Sequence, residues 1–227
     1  MTNRLKVYSL LFASISWGQA ATIARWTPVS TALPRGVDYD NGADQPLADE
    51  TIAGVAASVL NREGFANAFG NTGAVFPGRA ADGAAVDGMG GFTSLPAQFT
   101  SFTLTPDAGM LLSVDTITYD YASYGQAEAG SGYLVTIRTS ADGFATDLAS
   151  ASTSVTSARL TLDTSALGTL TSATEFRVYA AAIDANGGNR WFDLVGSDVA
   201  TDAGLIVDGT VTAVPEPSSS LLLGLAG

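Results

Sequence analysis

The chain has 227 residues, of which 46% are hydrophobic and only 14% are charged, and its formal net charge is −12. This length fits one domain with a single well-filled core. The acidic balance disfavours nucleic-acid binding, because an acidic surface repels phosphate backbones. The chain has no cysteine and no histidine. Disulfides, zinc sites built from His and Cys, and the commonest nucleophile and general-base pairs are therefore excluded.

The N-terminus has the three parts of a secretory signal peptide. Two basic residues precede an apolar run over 7–15, and small residues follow that run. A signal peptidase reads small residues just before the cut, so we predict cleavage after Ala20 or Ala21. The apolar run is too short to remain in a bilayer as a permanent helix. The sequence thus predicts a signal peptide over 1–21, with signal peptidase as a partner.

From about residue 99 onward, hydrophobic and polar residues alternate, as they do in half-buried strands. The positions predicted to face the core are Phe102, Leu104, Ile117, Tyr119, Tyr121, Tyr133, Val135, Ile137, Leu160, Leu162, Phe176, Val178, Ala180, Val207 and Val211. Turn signals separate these runs at 106–109, 130–132, 142–143 and 186–188, and Gly209 inside the last run indicates a bulge. Strands and turns at this spacing predict an all-β sandwich or barrel.

The first part of the domain gives weaker signals. Residues 52–65 (IAGVAASVLNREGF) fit either an amphipathic helix or a strand after a turn. Residues 70–94 are rich in glycine, which predicts loops with one or two short strands. There is no convincing internal repeat and no interior transmembrane run.

The C-terminus carries a short proline-containing motif followed by an apolar run over 221–227. This motif resembles the PEP-CTERM sorting signal of Gram-negative, biofilm-forming bacteria. The residues that carry the resemblance are Val214, Pro215, Glu216, Pro217 and Ser218. In that family a transmembrane helix and a basic cluster follow the Pro-Glu-Pro tripeptide, and an exosortase, a membrane protease-transpeptidase, acts there. The two prolines also favour an extended segment, which suits a protease cleft.

The tail departs from the family pattern in two respects. Its apolar run has seven residues, against the roughly 20 that cross a bilayer, and no basic cluster follows it. We interpret the tail as truncated within its hydrophobic segment. If the chain truly ends at Gly227, the prediction becomes simple secretion.

The central block also resembles, in composition and order, the single-domain jelly-roll sandwich common among PEP-CTERM proteins. The matching stretches are 102–109, 140–144, 176–179 and 207–211. This resemblance implies an all-β fold with a single antiparallel, jelly-roll-like β-sandwich over 22–212. The sorting tail then occupies 213–227.

A calcium ion is the candidate small ligand. Asp184, Asn186 and Asn189 form a D-x-N-x-x-N loop, with Asp193 close behind. Hard oxygen ligands on a tight glycine-rich turn suit calcium. An Asx-type hairpin turn explains the same residues without a metal. We predict no other cofactor.

Aromatic side chains are candidates for a sugar platform. Trp191 follows the Asn-rich turn, and Trp26, Tyr121 and Tyr124 are further candidates, because rings stack on the faces of pyranoses. Packing in the core or at a sheet edge accounts for the same residues.

Carboxylate pairs are the surviving route to catalysis. Glu63, Glu128 and Glu175 are candidate acids and bases for glycoside hydrolysis. Solvated surface carboxylates are the commoner explanation. No phosphate-binding or dinucleotide-binding motif accompanies them.

The sequence as a whole predicts a non-catalytic, exported protein of the periplasm, cell surface or biofilm-associated extracellular matrix. An exosortase-type membrane enzyme and an extracellular polysaccharide are its predicted partners. The alternative is a secreted carbohydrate-binding module with a structural calcium, and a secreted glycosidase is a third reading.

Overall fold

The computed structural model describes residues 20–27, 47–63, 75–79, 85–86, 92–94, 99–124, 133–153, 157–182, 191–195 and 204–214. Within these ranges the chain forms two antiparallel β-sheets packed together, which confirms the predicted all-β sandwich. The strands in chain order are β1 (Ala21–Trp26), β2 (Glu50–Thr51), β3 (Val55–Ala57), β4 (Asn61–Glu63), β5 (Val75–Arg79), β6 (Ala85–Val86), β7 (Phe92–Ser94), β8 (Phe99–Pro106), β9 (Met110–Tyr124), β10 (Tyr133–Thr139), β11 (Ala149–Thr153), β12 (Ser157–Asp163), β13 (Thr169–Leu170), β14 (Thr174–Ala182), β15 (Trp191–Val195) and β16 (Leu205–Ala213).

The first sheet is organised around β9, which is 15 residues long. Residues 116–119 of β9 pair with both β12 and β16, and residues 121–122 pair with both β12 and β15. Strands β16 and β15 therefore follow one another along one edge of β9, opposite β12. Beyond them, β1 pairs with β16, β2 with β1, and β5 with β15.

The second sheet runs in the order β11, β10, β14, β8, β3, and β4 pairs with β8 beside β3. Every pairing in it is antiparallel. Strands β6 and β7 form a separate two-stranded ribbon. The turn between β8 and β9 joins the two sheets at one end of the sandwich.

Three aromatic rings from both sheets form the centre of the core. Trp26 of the first sheet lies 4.8 Å, centroid to centroid, from Phe102 of the second. Phe102 and Phe176 are cross-strand partners, with rings 5.0 Å apart and nearly parallel. The Trp26 Nε1–H donates to the Ser58 carbonyl at 3.0 Å. That bond satisfies the one polar atom of a side chain that is fully buried.

The predicted inward faces are confirmed wherever the structure describes the side chains. The buried core includes Phe102, Leu104, Ile117, Tyr119, Val135, Ile137, Leu160, Leu162, Phe176, Val178 and Val207, and Ala180 and Val211 pack partly buried against it. The side chains at 121 and 133 lie outside the described part. The alternation works because successive strand residues point to opposite faces.

The expectation of half-buried strands is wrong for parts of the outer faces. Thr118, Asp120, Thr136 and Tyr179 alternate with core residues, yet each is buried. Cross-strand bonds satisfy their polar atoms: Thr118 contacts the Thr161 hydroxyl at 3.1 Å, for example. Local alternation cannot show these partners, because they are distant in sequence.

The predicted bulge at Gly209 is confirmed. Asp208 pairs with Thr116 and Gly209 with Val114, which leaves one extra residue, Asp115, on β9. An added Cβ at Gly209 would lie 2.0 Å from the Ser113 carbonyl oxygen. Glycine is required here because the neighbouring backbone occupies the space of a side chain.

The structure contains strands in both segments whose sequence signals were weak. The 52–65 segment contains β3 and β4 and no helix among its described residues. Residues 70–94 contain β5, β6 and β7, one strand more than the upper expectation. Across the described ranges, no helix has the length and apolar character needed to cross a membrane.

Candidate functional site

The two predicted processing points flank a pair of neighbouring strands, β1 and β16. Strand β1 begins at Ala21, which pairs with Gly209 of β16. Strand β16 ends at Ala213, immediately before the predicted sorting motif. Gly209 is the middle residue of β16, so Ala21 lies four residues, about 13 Å along the strand, from the level of Ala213. Because β1 and β16 are antiparallel, the start of β1 is the end of that strand nearer to the tail.

Val214 is the one motif residue in the described part. Its N–H donates to the carbonyl of Gly109, in the β8–β9 turn, at 2.8 Å. Its side chain is 46% exposed. This bond continues the ladder between β16 and β9 by one residue beyond the strand. Pro215, Glu216, Pro217 and Ser218 lie outside the described residues.

Both predicted signal cleavages are compatible with the folded domain. A cut after Ala20 leaves all of β1 intact, and a cut after Ala21 removes only its first residue. The buried part of β1 starts later, at Ile23. The core therefore keeps the whole contribution of β1 in either case.

The calcium prediction falls mostly outside the described part of the chain. Asp184, Asn186 and Asn189 are not described. Asp193 lies in β15, where its backbone pairs with Pro77 and Ala122. No cluster of three or more His, Cys, Asp or Glu suited to a metal occurs among the residues that are described. Calcium binding stays a prediction.

The two candidate tryptophans occupy different positions in the fold. Trp26 is fully buried, so it belongs to the core and presents no face to a sugar. Trp191 is the first residue of β15, where its backbone pairs with Arg79 and Tyr124. Its side chain is outside the described part, and its role in ligand binding stays a prediction.

Glu63 and Glu175, the two described carboxylates among the three proposed for glycoside hydrolysis, do not form a pair. Glu175 accepts a hydrogen bond from Arg177 Nε at 2.7 Å. Glu63 pairs with Phe99 of β8, and Glu175 pairs with Thr103 four residues further along the same strand. That offset alone is about 13 Å along the strand, beyond the roughly 5–9.5 Å that glycosidases use. Glu128 is not described.

A polar-aromatic cluster lies on the outer face of the second sheet, and sequence reasoning missed it. The Arg177 guanidinium lies 3.7 Å from the ring centroid of Phe144 and 4.4 Å from that of Phe99. The Phe99 ring is 5.4 Å from that of Tyr179. The first two are cation–π contacts of an ion-paired arginine, and the third is a tilted aromatic pair. No sequence signal pointed to them, because Phe144 belongs to the β10–β11 loop.

Hydrogen bonds hold that loop against the sheet. Arg138 donates through Nε to Asp147 at 2.6 Å and through Nη1 to the Phe144 carbonyl at 3.0 Å. Asp142 accepts bonds from the hydroxyl and N–H of Thr146. The Thr146 hydroxyl is the largest influence that lowers the pKa of Asp142. Phe144 is held at a φ of 63°, a left-handed conformation unusual for a bulky residue.

A partly buried ion pair lies at the opposite end of β16 from the tail: Asp120 is buried, whereas the Arg159 side chain is 41% exposed. Arg159 donates from Nε and Nη2 to the two carboxylate oxygens of Asp120, both at 2.8 Å. Asp120 also accepts the Gly204 N–H at 3.1 Å, and its own N–H donates to the Gly204 carbonyl at 3.0 Å. Asp120 is 5% exposed. Its charge is tolerated because three donors satisfy the carboxylate.

Each arginine whose side chain the structure describes is ion-paired. The pairs are Arg25 with Glu50, Arg138 with Asp147, Arg159 with Asp120 and Arg177 with Glu175. The described arrangement is an antiparallel β-sandwich in which the first and last strands are neighbours. No family model and no curated protein matches the chain.

Proposed function

We propose that the chain is an exported, non-catalytic protein of the bacterial cell surface or extracellular matrix. Signal peptidase releases it after Ala20 or Ala21, and an exosortase-type membrane enzyme sorts it through the motif that starts at Val214. The signal-peptide pattern and the resemblance to the sorting signal motivate this proposal.

One structural observation carries the most weight in its support. The first strand begins at Ala21 and the last ends at Ala213, and the two strands pair with each other. Among the described residues, the predicted terminal segments contribute only Ala21, Ala213 and Val214 to the ladders of the domain. A domain built this way loses almost none of its packing when membrane enzymes process its two ends.

The charges of the domain support a non-catalytic role. The arginines with described side chains are engaged by carboxylates. Glu63 and Glu175 are too far apart along β8 for glycoside hydrolysis.

Ending the verified full-length gene after Val214 tests the sorting step. Val214 is kept because its N–H bonds the Gly109 carbonyl, so the shortened domain should fold like the wild type. In the exporting host, with the verified full-length gene, we expect the wild type mainly in the cell-surface fraction. The deletion variant should appear mainly as soluble protein, as quantified by fractionation and immunoblotting.

The double substitution Pro215→Ala with Pro217→Ala tests the motif itself, because it changes the two prolines and keeps the tail length and the apolar run. It should reproduce the change in partition seen with the deletion. An unchanged surface fraction for both variants, with equal total protein, would contradict sorting through this tail.

A further inference from the structure

The strand that carries the tail occupies a protected position in the first sheet. All nine residues of β16 pair with β9 on one side, and the stretch from Leu205 to Gly209 pairs with β1 on the other. Leu205 and Val207 are fully buried. The strand next to the tail is thus an interior strand, which is paired with a neighbouring strand on each side over its first half.

The direction of a pull on this strand decides how its hydrogen bonds share the load. In an antiparallel ladder the bonds lie perpendicular to the strands. Tension between the tail and the opposite end of the sandwich loads all the bonds of β16 in parallel, which is shear. Tension between the tail and a neighbouring point at the same end opens the bonds one after another, which is unzipping.

Two features oppose sliding of β16 toward the tail. Gly204, just before the strand, exchanges two hydrogen bonds with Asp120, which Arg159 holds in a bidentate pair. A two-residue slip would also move Val207 into the place of Gly209. There even a Cβ would lie 2.0 Å from the Ser113 carbonyl oxygen, so the slip meets a direct steric clash.

We propose that β16 is a mechanical anchor strand, which resists unfolding of the domain when the domain is tethered through its C-terminal tail and pulled from its far end. The Asp120–Arg159–Gly204 contacts and the bulge at Gly209 lock its register. The biological use of this property rests on the proposed sorting function, whereas the mechanical property belongs to the folded chain alone.

Single-molecule force spectroscopy on the purified full chain tests this inference. The chain has no cysteine, so two introduced cysteines define the pulling axis. Val214→Cys with Ser152→Cys pulls between opposite ends, because Ser152 pairs with Leu134 at the end of the second sheet remote from the β8–β9 turn. Val214→Cys with Ala108→Cys pulls within one end. All three positions are exposed.

We expect the first rupture force to be several-fold higher for the 152–214 pair than for the 108–214 pair. The length of chain released in the first step identifies the strand that leaves. Detachment of β16 first, at a force no higher than in the 108–214 geometry, would overturn the inference.

Asp120→Asn separates the register lock from general stability, because it keeps the shape of the side chain and removes its charge. Unzipping from the tail end reaches Asp120 last, whereas shear loads it at once. The variant should lower the rupture force of the 152–214 pair and leave that of the 108–214 pair unchanged. Equal losses of rupture force in both pulling geometries would contradict the role of Asp120 in holding the register of β16.

The force experiment and the partition experiment can each contradict one proposal without contradicting the other. A chain that ruptures at low force in both geometries but still reaches the cell surface would overturn only the anchor strand. High shear strength in a chain whose tail has no effect on partition would overturn only the sorting proposal.

Discussion

Replacing Gly204 by alanine is expected to lower the free energy of unfolding by about 3 kcal/mol or more. Gly204 has a φ of +128°, where side chains are strained, and an added Cβ would lie 2.2 Å from the Trp26 carbonyl oxygen. The clash is with backbone in the adjacent strand β1, so no rotamer change relieves it. Urea unfolding followed by tryptophan fluorescence measures the loss.

Gly109→Ala is the matched control for this prediction. Gly109 also has a positive φ, +79°, but nothing lies within 4 Å of the added Cβ. We expect only the conformational cost, about 1–2 kcal/mol. If Gly204→Ala is too unstable to purify, its soluble yield beside that of Gly109→Ala gives the comparison. Equal stability of the two variants would contradict the close approach at Gly204.

Truncating Phe102 to alanine should lower the free energy of unfolding by about 3–5 kcal/mol. Phe102 is 1% exposed, and its ring lies between those of Trp26 and Phe176. The substitution leaves a cavity at the point where the two sheets meet, and neighbouring rings cannot collapse fully into it. Chemical denaturation at constant pH measures the effect.

Phe99→Ala gives a control of the same residue type in the same strand, β8. Phe99 lies on the outer face, half-buried, against Arg177 and Tyr179. Losing these contacts should cost about 1–2 kcal/mol. Equal losses for the two phenylalanines would show that the sandwich core is not centred where the structure puts it.

Much of the fold follows from local sequence patterns. From Phe99 onward the strands are long enough for period two to identify the face that carries Phe102, Val135 and Phe176. The glycine at 209 indicated a bulge because an isolated glycine within a strand suggests one. By contrast, β3 and β4 are three residues each, too short to show any period, so helix and strand stayed open there.

Long-range partners set the limit of the sequence-based predictions. Asp120 is an outward strand position that looks solvated, yet Arg159, 39 residues away, makes its burial tolerable. The positions of the processing points were predicted from local signals at each terminus. That the strands beside these points are neighbours depends on β1 pairing with β16, a contact between residues 179 to 188 positions apart. No local pattern encodes that pairing.

Free amines in the protein recovered from exporting cells give the most direct test of the account. Lys6 is the only lysine in the chain, so residues 21–227 of a chain cut after Ala20 carry one primary amine, the new N-terminus. After reductive dimethylation, mass spectrometry should find a single labelled amine, on a peptide that begins at Ala21 or Thr22. Labelled Lys6 in the recovered protein, with the residues before Ala20 still attached, would contradict export through signal cleavage.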